Sequence, residues 1–174
     1  MTEYLKEQLE HKETGELYHT VAKIAKKSSY ENALEVGMAW AITTLAILRN
    51  GTGKLLSVDK SFYPNTADQV SRFGFSHRWT PLIKDSRQAL PELAGYFDLI
   101  CVDGDHCYEF VKSDLLQAAR LLTQDGTIIV DDYLHRYNTE KDYGVTKAVD
   151  EIVKEFGFKI KVHKKAHGIV ELTR

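Results

Sequence analysis

Cysteine is scarce in this chain: only Cys101 and Cys107 occur among 174 residues, and their spacing is not that of a metal-binding pair. A disulfide framework is thereby excluded, a reducing intracellular compartment is expected, and both thiols read as packing residues in or just after an apolar strand. An excess of charge of one sign is also missing. The 23 Lys and Arg nearly balance the 25 Asp and Glu, giving a formal net charge of -2, and the two signs are interspersed. No basic field exists to collect nucleic acid or anionic lipid. No apolar run approaches the roughly 18 residues of a membrane span, and the polar N-terminus lacks the apolar core of a secretory signal. The expectation is a soluble, cytoplasmic protein with neither nucleic-acid nor membrane partners, built as one domain around one core.

What the chain does have is a rhythm. Five short apolar runs, at 33–37, 55–59, 80–85, 97–103 and 126–132, alternate with helical patterns. Runs without polar alternation belong to strands covered on both faces, so they predict βαβ units and a mostly parallel sheet. Residues 38–50 predict a buried helix closed by Gly51, and 107–123 and 144–156 predict amphipathic helices, the first with Val111, Leu115, Ala118 and Leu122 on one face. The segments around 158–165 and 167–174 are joined too tightly for a crossover helix and predict an antiparallel hairpin. Residues 1–29 form an N-terminal helical extension that either covers the sheet edge or meets a partner, an arrangement that would suit a homodimer.

In open α/β sheets ligands bind beyond the carboxyl ends of the strands. After the first run stand Glu35 and Gly37; a glycine there permits close backbone approach, and the following helix start offers N–H groups to an anion. The segment has too few glycines for a dinucleotide fingerprint, so pyrophosphate is disfavoured. The plainer reading is an ordinary turn with a surface acid. Asp59, ending the second run, could accept both hydroxyls of a ribose or simply cap a turn. Asp85 and Ser86 follow the third run and could equally cap the next helix.

The densest chemistry is "VDGDH", residues 102 to 106. If the fourth and fifth strands are neighbours, Asp103 converges with Asp131 and Asp132, and like charges that close call for protons or a cation. Oxygen ligands suit Mg²⁺ first, Mn²⁺ or Ca²⁺ next. Asp105 could take a proton from a hydroxyl acidified by that ion, or cap the helix that follows. His106 is a base, a substrate contact or a plain helix-start residue. His19, His77, His135 and His163 have no company that singles them out, except that His135 sits just past the acid pair.

"FDLICVDGDHCYEFVKSDL", "LLTQDGTIIVDDY" and "GVTKAVDEI" carry a resemblance. The chain resembles the class I S-adenosylmethionine-dependent methyltransferases, in the small O-methyltransferase group related to the macrocin-type sugar O-methyltransferases. The resemblance implies a single Rossmann-like α/β domain over 1–174, with a seven-stranded, mostly parallel sheet, helices on both faces and a C-terminal antiparallel hairpin. It implies cofactor binding by Glu35, Gly37, Met38, Asp59, Lys60, Asp85, Ser86 and Asp103, metal binding by Asp103, Asp131 and Asp132, and catalysis by Asp105 and His106. The implied reaction is metal-assisted O-methylation of a small hydroxylated acceptor by S-adenosylmethionine. Ala41 departs from the family pattern where a second glycine would stand, and its methyl group is expected to narrow the space beneath the cofactor. The loop 133–144, with Tyr133, His135, Arg136, Tyr137 and Tyr143, is left for acceptor recognition.

Two other readings fit some of these residues. "DGD" resembles the D-x-D of Mg²⁺-dependent phosphohydrolases, although here it falls on the fourth strand and no lysine occurs from Gln117 to Val130. A non-catalytic S-adenosylmethionine-binding regulator would accommodate Ala41 and the short lid.

Overall fold

The structure, a computed structural model, describes residues 2–139 and 143–174. The middle of the expected acceptor loop, residues 140–142, lies outside the described residues. Two helices open the chain, α1 (Glu3–Glu10) and α2 (Lys12–Ser28). The alternating part follows as β1 (Asn32–Val36), α3 (Ile42–Asn50), β2 (Lys54–Asp59), α4 (Pro64–Arg72), β3 (Trp79–Ile83), α5 (Ser86–Glu92), β4 (Phe97–Val102), α6 (Tyr108–Leu121) and β5 (Leu122–Val130). Helix α7 (Val145–Phe156) leads to the hairpin β6 (Lys159–His163) and β7 (Ile169–Thr173). Among the described residues the strands form one seven-stranded sheet in the order β3-β2-β1-β4-β5-β7-β6. Only β7 runs against its neighbours, as the hairpin reading required. Strand order reverses between β1 and β4, so a crevice opens at their carboxyl ends.

The apolar runs lack alternation because helices cover both sides. In β4, Ile100 and Val102 pack with Leu115, Ile128, Val149 and Ile152 on one face, whereas Leu99 and Cys101 pack with Val21, Leu45 and Ile129 on the other. Each such side chain contributes about 1.5–3 kcal/mol by leaving water. Helix α2 belongs to the second face; Val21, Ile24 and Ala25 lie among sheet residues Leu99, Cys101 and Ile129, so the extension covers the sheet's centre rather than its edge. Pro64 opens α4 and Pro81 lies on the edge strand β3, whereas Pro91 falls inside the last turn of α5.

Two boundaries differ from the sequence expectation. Helix α3 begins at Ile42 rather than residue 38, because the N–H of Met38 is taken by Asp59 Oδ2 at 3.0 Å and Ala41 adopts a left-handed φ of 62°. Strand β5 begins directly where α6 ends and stops at Val130, so Asp131 and Asp132 stand beyond it. Among the described residues no helix is long and apolar enough to cross a membrane.

Candidate active site

Register builds the site. Val36 pairs with Val58 and with Val102, and Val102 pairs with Val130, so four strand ends are level. The residues one step beyond are Asp59, Gly37, Asp103 and Asp131, set in a row at interstrand spacings of about 4.8 Å. Above them a cleft of about 310 Å³ is lined by Gly37, Asp59, Lys60, Asp85, Ser86, Asp103, Asp105 and His106, together with Tyr63 and Phe110. That volume suits a cofactor-sized ligand. Gly37 holds φ at +89°, and a Cβ there would lie 2.1 Å from the carbonyl oxygen of Asp103, so the β1 turn passes the β4 turn only as glycine.

Glu35 and Met38, expected to bind cofactor, do not line the cleft. Glu35 is fully buried beneath the turn, where its carboxylate accepts from Thr43 Oγ1 at 2.6 Å, Thr44 Oγ1 at 2.8 Å and Ser57 Oγ at 2.5 Å. Burial pushes its pKa up to about 7 against those hydrogen bonds, and the nearby Asp59 adds to the rise. The side chain of Met38 is buried, and its contribution is a backbone N–H to Asp59. Asp59 accepts a second N–H from Ser61 on Oδ1 at 3.0 Å, leaving one lone pair on each oxygen for a ligand. Ala41 packs in the core with α2 and α3, away from the cleft lining, so its methyl group does not narrow the ligand space.

At the far end Asp85 caps α5 through Arg87 N at 2.9 Å and grips the Arg87 side chain, Oδ2 to a guanidinium nitrogen at 2.8 Å. Arg87, through hydrogen bonds from its side chain, holds the carboxyl at about 2. The Arg87 guanidinium lies 3.9 Å from the Phe110 ring centroid. Phe110 and Tyr63 were missed by sequence reasoning; a signal for Phe110 existed, since it falls off the apolar stripe of α6 in the turn nearest the strand ends.

The acid cluster divides. Ligand atoms of Asp103, His106 and Asp132 lie within 4.8 Å of one another. His106 Nε2 stands 2.8 Å from Asp132 Oδ2, with its ring stacked on Tyr143 at 5.1 Å. Asp131 is not a member of that group, although its buried Oδ1 has no hydrogen-bond partner. Burial, then the charges of Asp131 and Asp132, hold the Asp103 carboxyl well above its ordinary range. Burial, then Asp132, push Asp131 up to about 7. Burial acts to raise Asp132 too, but hydrogen bonds from His106 and Tyr143 outweigh it and keep the group low. The Asp132 hydrogen bond raises His106. Asp105 is turned away: Oδ1 accepts from Cys107 N at 3.0 Å and Oδ2 is 3.9 Å from Lys60. Its burial is outweighed by these partners, which hold it below the usual carboxylate range.

A divalent cation fits these residues. Burial and the neighbouring carboxylates make Asp103 and Asp131 resist ionisation, and one buried oxygen of Asp131 lacks any partner. His135 and His167 form a further group with Asp132, again within 4.8 Å. His167 was passed over in the sequence because it lies 35 positions from the acid pair and only the hairpin brings it near.

A model described as a methyltransferase domain matches residues 34–133. No curated protein sequence matches the chain. Among solved structures, a putative O-methyltransferase from Klebsiella pneumoniae is similar with a TM-score of 0.78 at 16% identity, covering 99% of this chain and 90% of that one. The O-methyltransferase TomG from Streptomyces achromogenes, in complex with SAM, gives 0.73 at 16% identity over 91% and 80% of the two chains. A Bacillus cereus O-methyltransferase in complex with SAH gives 0.72 at 16% identity over the same shares, 91% and 80%.

Proposed function

Since the chain belongs to the methyltransferase domain family, we propose that it transfers the methyl group of S-adenosylmethionine to a hydroxyl oxygen of a small acceptor, assisted by a divalent ion. The observation that carries this reading is the level row of Asp59, Gly37, Asp103 and Asp131 across the strand-order reversal. S-adenosylmethionine supplies an electrophilic methyl, and a Mg²⁺ or Mn²⁺ ion held by Asp103, Asp131 and Asp132 would supply Lewis acidity toward the acceptor oxygen.

The chain's own residues do the rest. Asp59 takes the ribose hydroxyls on its remaining lone pairs. Asp85 and Ser86 flank the adenine, and Phe110, held by Arg87, gives it an apolar wall. Gly37 lets the β1 turn approach the methionine end, and Lys60 stands at the cleft mouth beside Asp105. Of the two candidate bases, His106 is the better. Its ring lines the cleft beside the acid group, and because Nε2–H donates to Asp132, Nδ1 is the ring nitrogen left to take the acceptor's proton. Asp105, held low by Cys107 and Lys60, is a weak proton acceptor and serves to fix the turn.

Calorimetry with S-adenosylhomocysteine tests the cofactor half. Saturable binding is expected, weakened at least 10-fold by Asp59→Ala. Absence of binding by the folded wild-type protein would remove the proposal, and binding without turnover on a broad hydroxyl panel would favour a regulator.

A further inference from the structure

We propose that Asp132, His135 and His167 form a second cation position, selective for a divalent transition ion with Zn²⁺ in first place, adjoining the oxygen-rich position and sharing only Asp132 with it. Two imidazoles and a carboxylate within 4.8 Å are the donor set of a borderline ion rather than of Mg²⁺. The position is independent of methyl transfer and does not require the first ion.

The backbone around these three residues is closely packed. Beyond β5 the chain turns at Asp132, a non-glycine residue with φ of 62°, a conformation that costs about 1–3 kcal/mol and is kept where the surroundings over-determine it. The loop then lies against the β6–β7 turn through Tyr133 N to Gly168 O at 2.8 Å and Leu134 N to His167 O at 2.7 Å. Gly168 is pressed so closely that a Cβ would lie 2.6 Å from three atoms of Leu134. These contacts hold the His135 and His167 rings edge to face with centroids 4.2 Å apart.

Helix α2 supports the same turn from behind. Glu16 Oε2 accepts from Ala166 N at 2.6 Å, and Glu13 Oε2 meets His167 Nε2 at 3.1 Å. Ligation through Nδ1 would therefore leave a carboxylate on the far nitrogen of His167, the outer-shell partner that orients ligating imidazoles.

Equilibrium dialysis of the metal-stripped full chain against Co²⁺ and Zn²⁺, without cofactor, is the test. Variants are first checked for wild-type folding by circular dichroism. Wild type is expected to bind one ion with the visible absorption of low-coordinate cobalt and one without. His167→Asn and His135→Asn should each abolish the absorbing ion, weakening it at least 100-fold, and leave the other. Glu13→Gln should weaken it 10- to 100-fold. Asp103→Asn should remove only the non-absorbing ion, and Asp132→Asn both. Cobalt and zinc binding indifferent to His135→Asn and His167→Asn overturns the proposal. Binding lost in those variants but unmoved by Asp103→Asn upholds it while removing the metal position proposed for methyl transfer, so the two failures are separable.

Discussion

Any Cβ at Gly37 would stand 2.1 Å from the carbonyl oxygen of Asp103, so the β1 and β4 turns touch backbone to backbone at the centre of the cleft. Gly37→Ala must therefore push the two turns apart and force a methyl-bearing residue to φ +89°. A loss of at least about 2 kcal/mol is expected, read as a lower urea midpoint at unchanged slope. A variant within 0.5 kcal/mol of wild type would show that the turns yield freely.

Position 41 is the opposite case. Ala41 holds φ at 62° in a region that favours glycine, while its methyl group packs in the core and does not reach the cleft. Relief of the backbone, about 1–2 kcal/mol, is offset by the lost methyl burial and the freer unfolded chain of glycine, so Ala41→Gly is expected to change stability by less than about 1 kcal/mol without changing S-adenosylhomocysteine affinity. A larger destabilisation would mean that the methyl contact is worth more than the strain.

Glu35 makes stability depend on pH. Its folded-state pKa of about 7 exceeds the ordinary 4.5. Below pH 4.5 both states carry the proton and the contribution is complete; as pH rises through 7 the unfolded chain gains by ionising while the folded one resists. Relative to Glu35→Gln, which cannot ionise, wild type should lose roughly 3 kcal/mol between pH 4.5 and 8. Chemical denaturation of both proteins across that range measures it, and parallel pH profiles would contradict the burial argument.

His106 and Asp105 separate by their partners. His106→Ala is expected to lower kcat on the order of 10²-fold or more while leaving divalent-ion affinity within a few-fold. Asp105→Asn should cost far less, since that carboxylate is committed to Cys107 N–H and Lys60. Equal losses in the two variants would reassign the base, and a parallel collapse of ion affinity in His106→Ala would make His106 a ligand.

Much of this arrangement was legible in the sequence. The unbroken apolar runs reported strands covered on both faces, and the acids stood immediately after them, so parallel register alone carries Asp59, Asp103 and Asp131 to one edge. The start of α3 was not legible, because an N–H bond to Asp59 and a left-handed alanine are tertiary facts that helical periodicity does not record. Nor was the fate of Glu35, whose charge read as cofactor-facing but whose partners Thr43, Thr44 and Ser57 come from two different elements. His135 stood out only by its place just past the acid pair and His167 not at all, for the same reason: the β6–β7 turn brings them together through space.

Isotopically labelled methyl transfer from S-adenosylmethionine to a panel of catechols and sugars, before and after chelation and again after Mg²⁺ or Mn²⁺ is restored, tests the central claim. Labelled ether product that falls at least about 100-fold with chelator and recovers with the ion is the predicted result. Transfer undiminished by chelation would show that Asp103, Asp131 and Asp132 hold no ion the reaction needs.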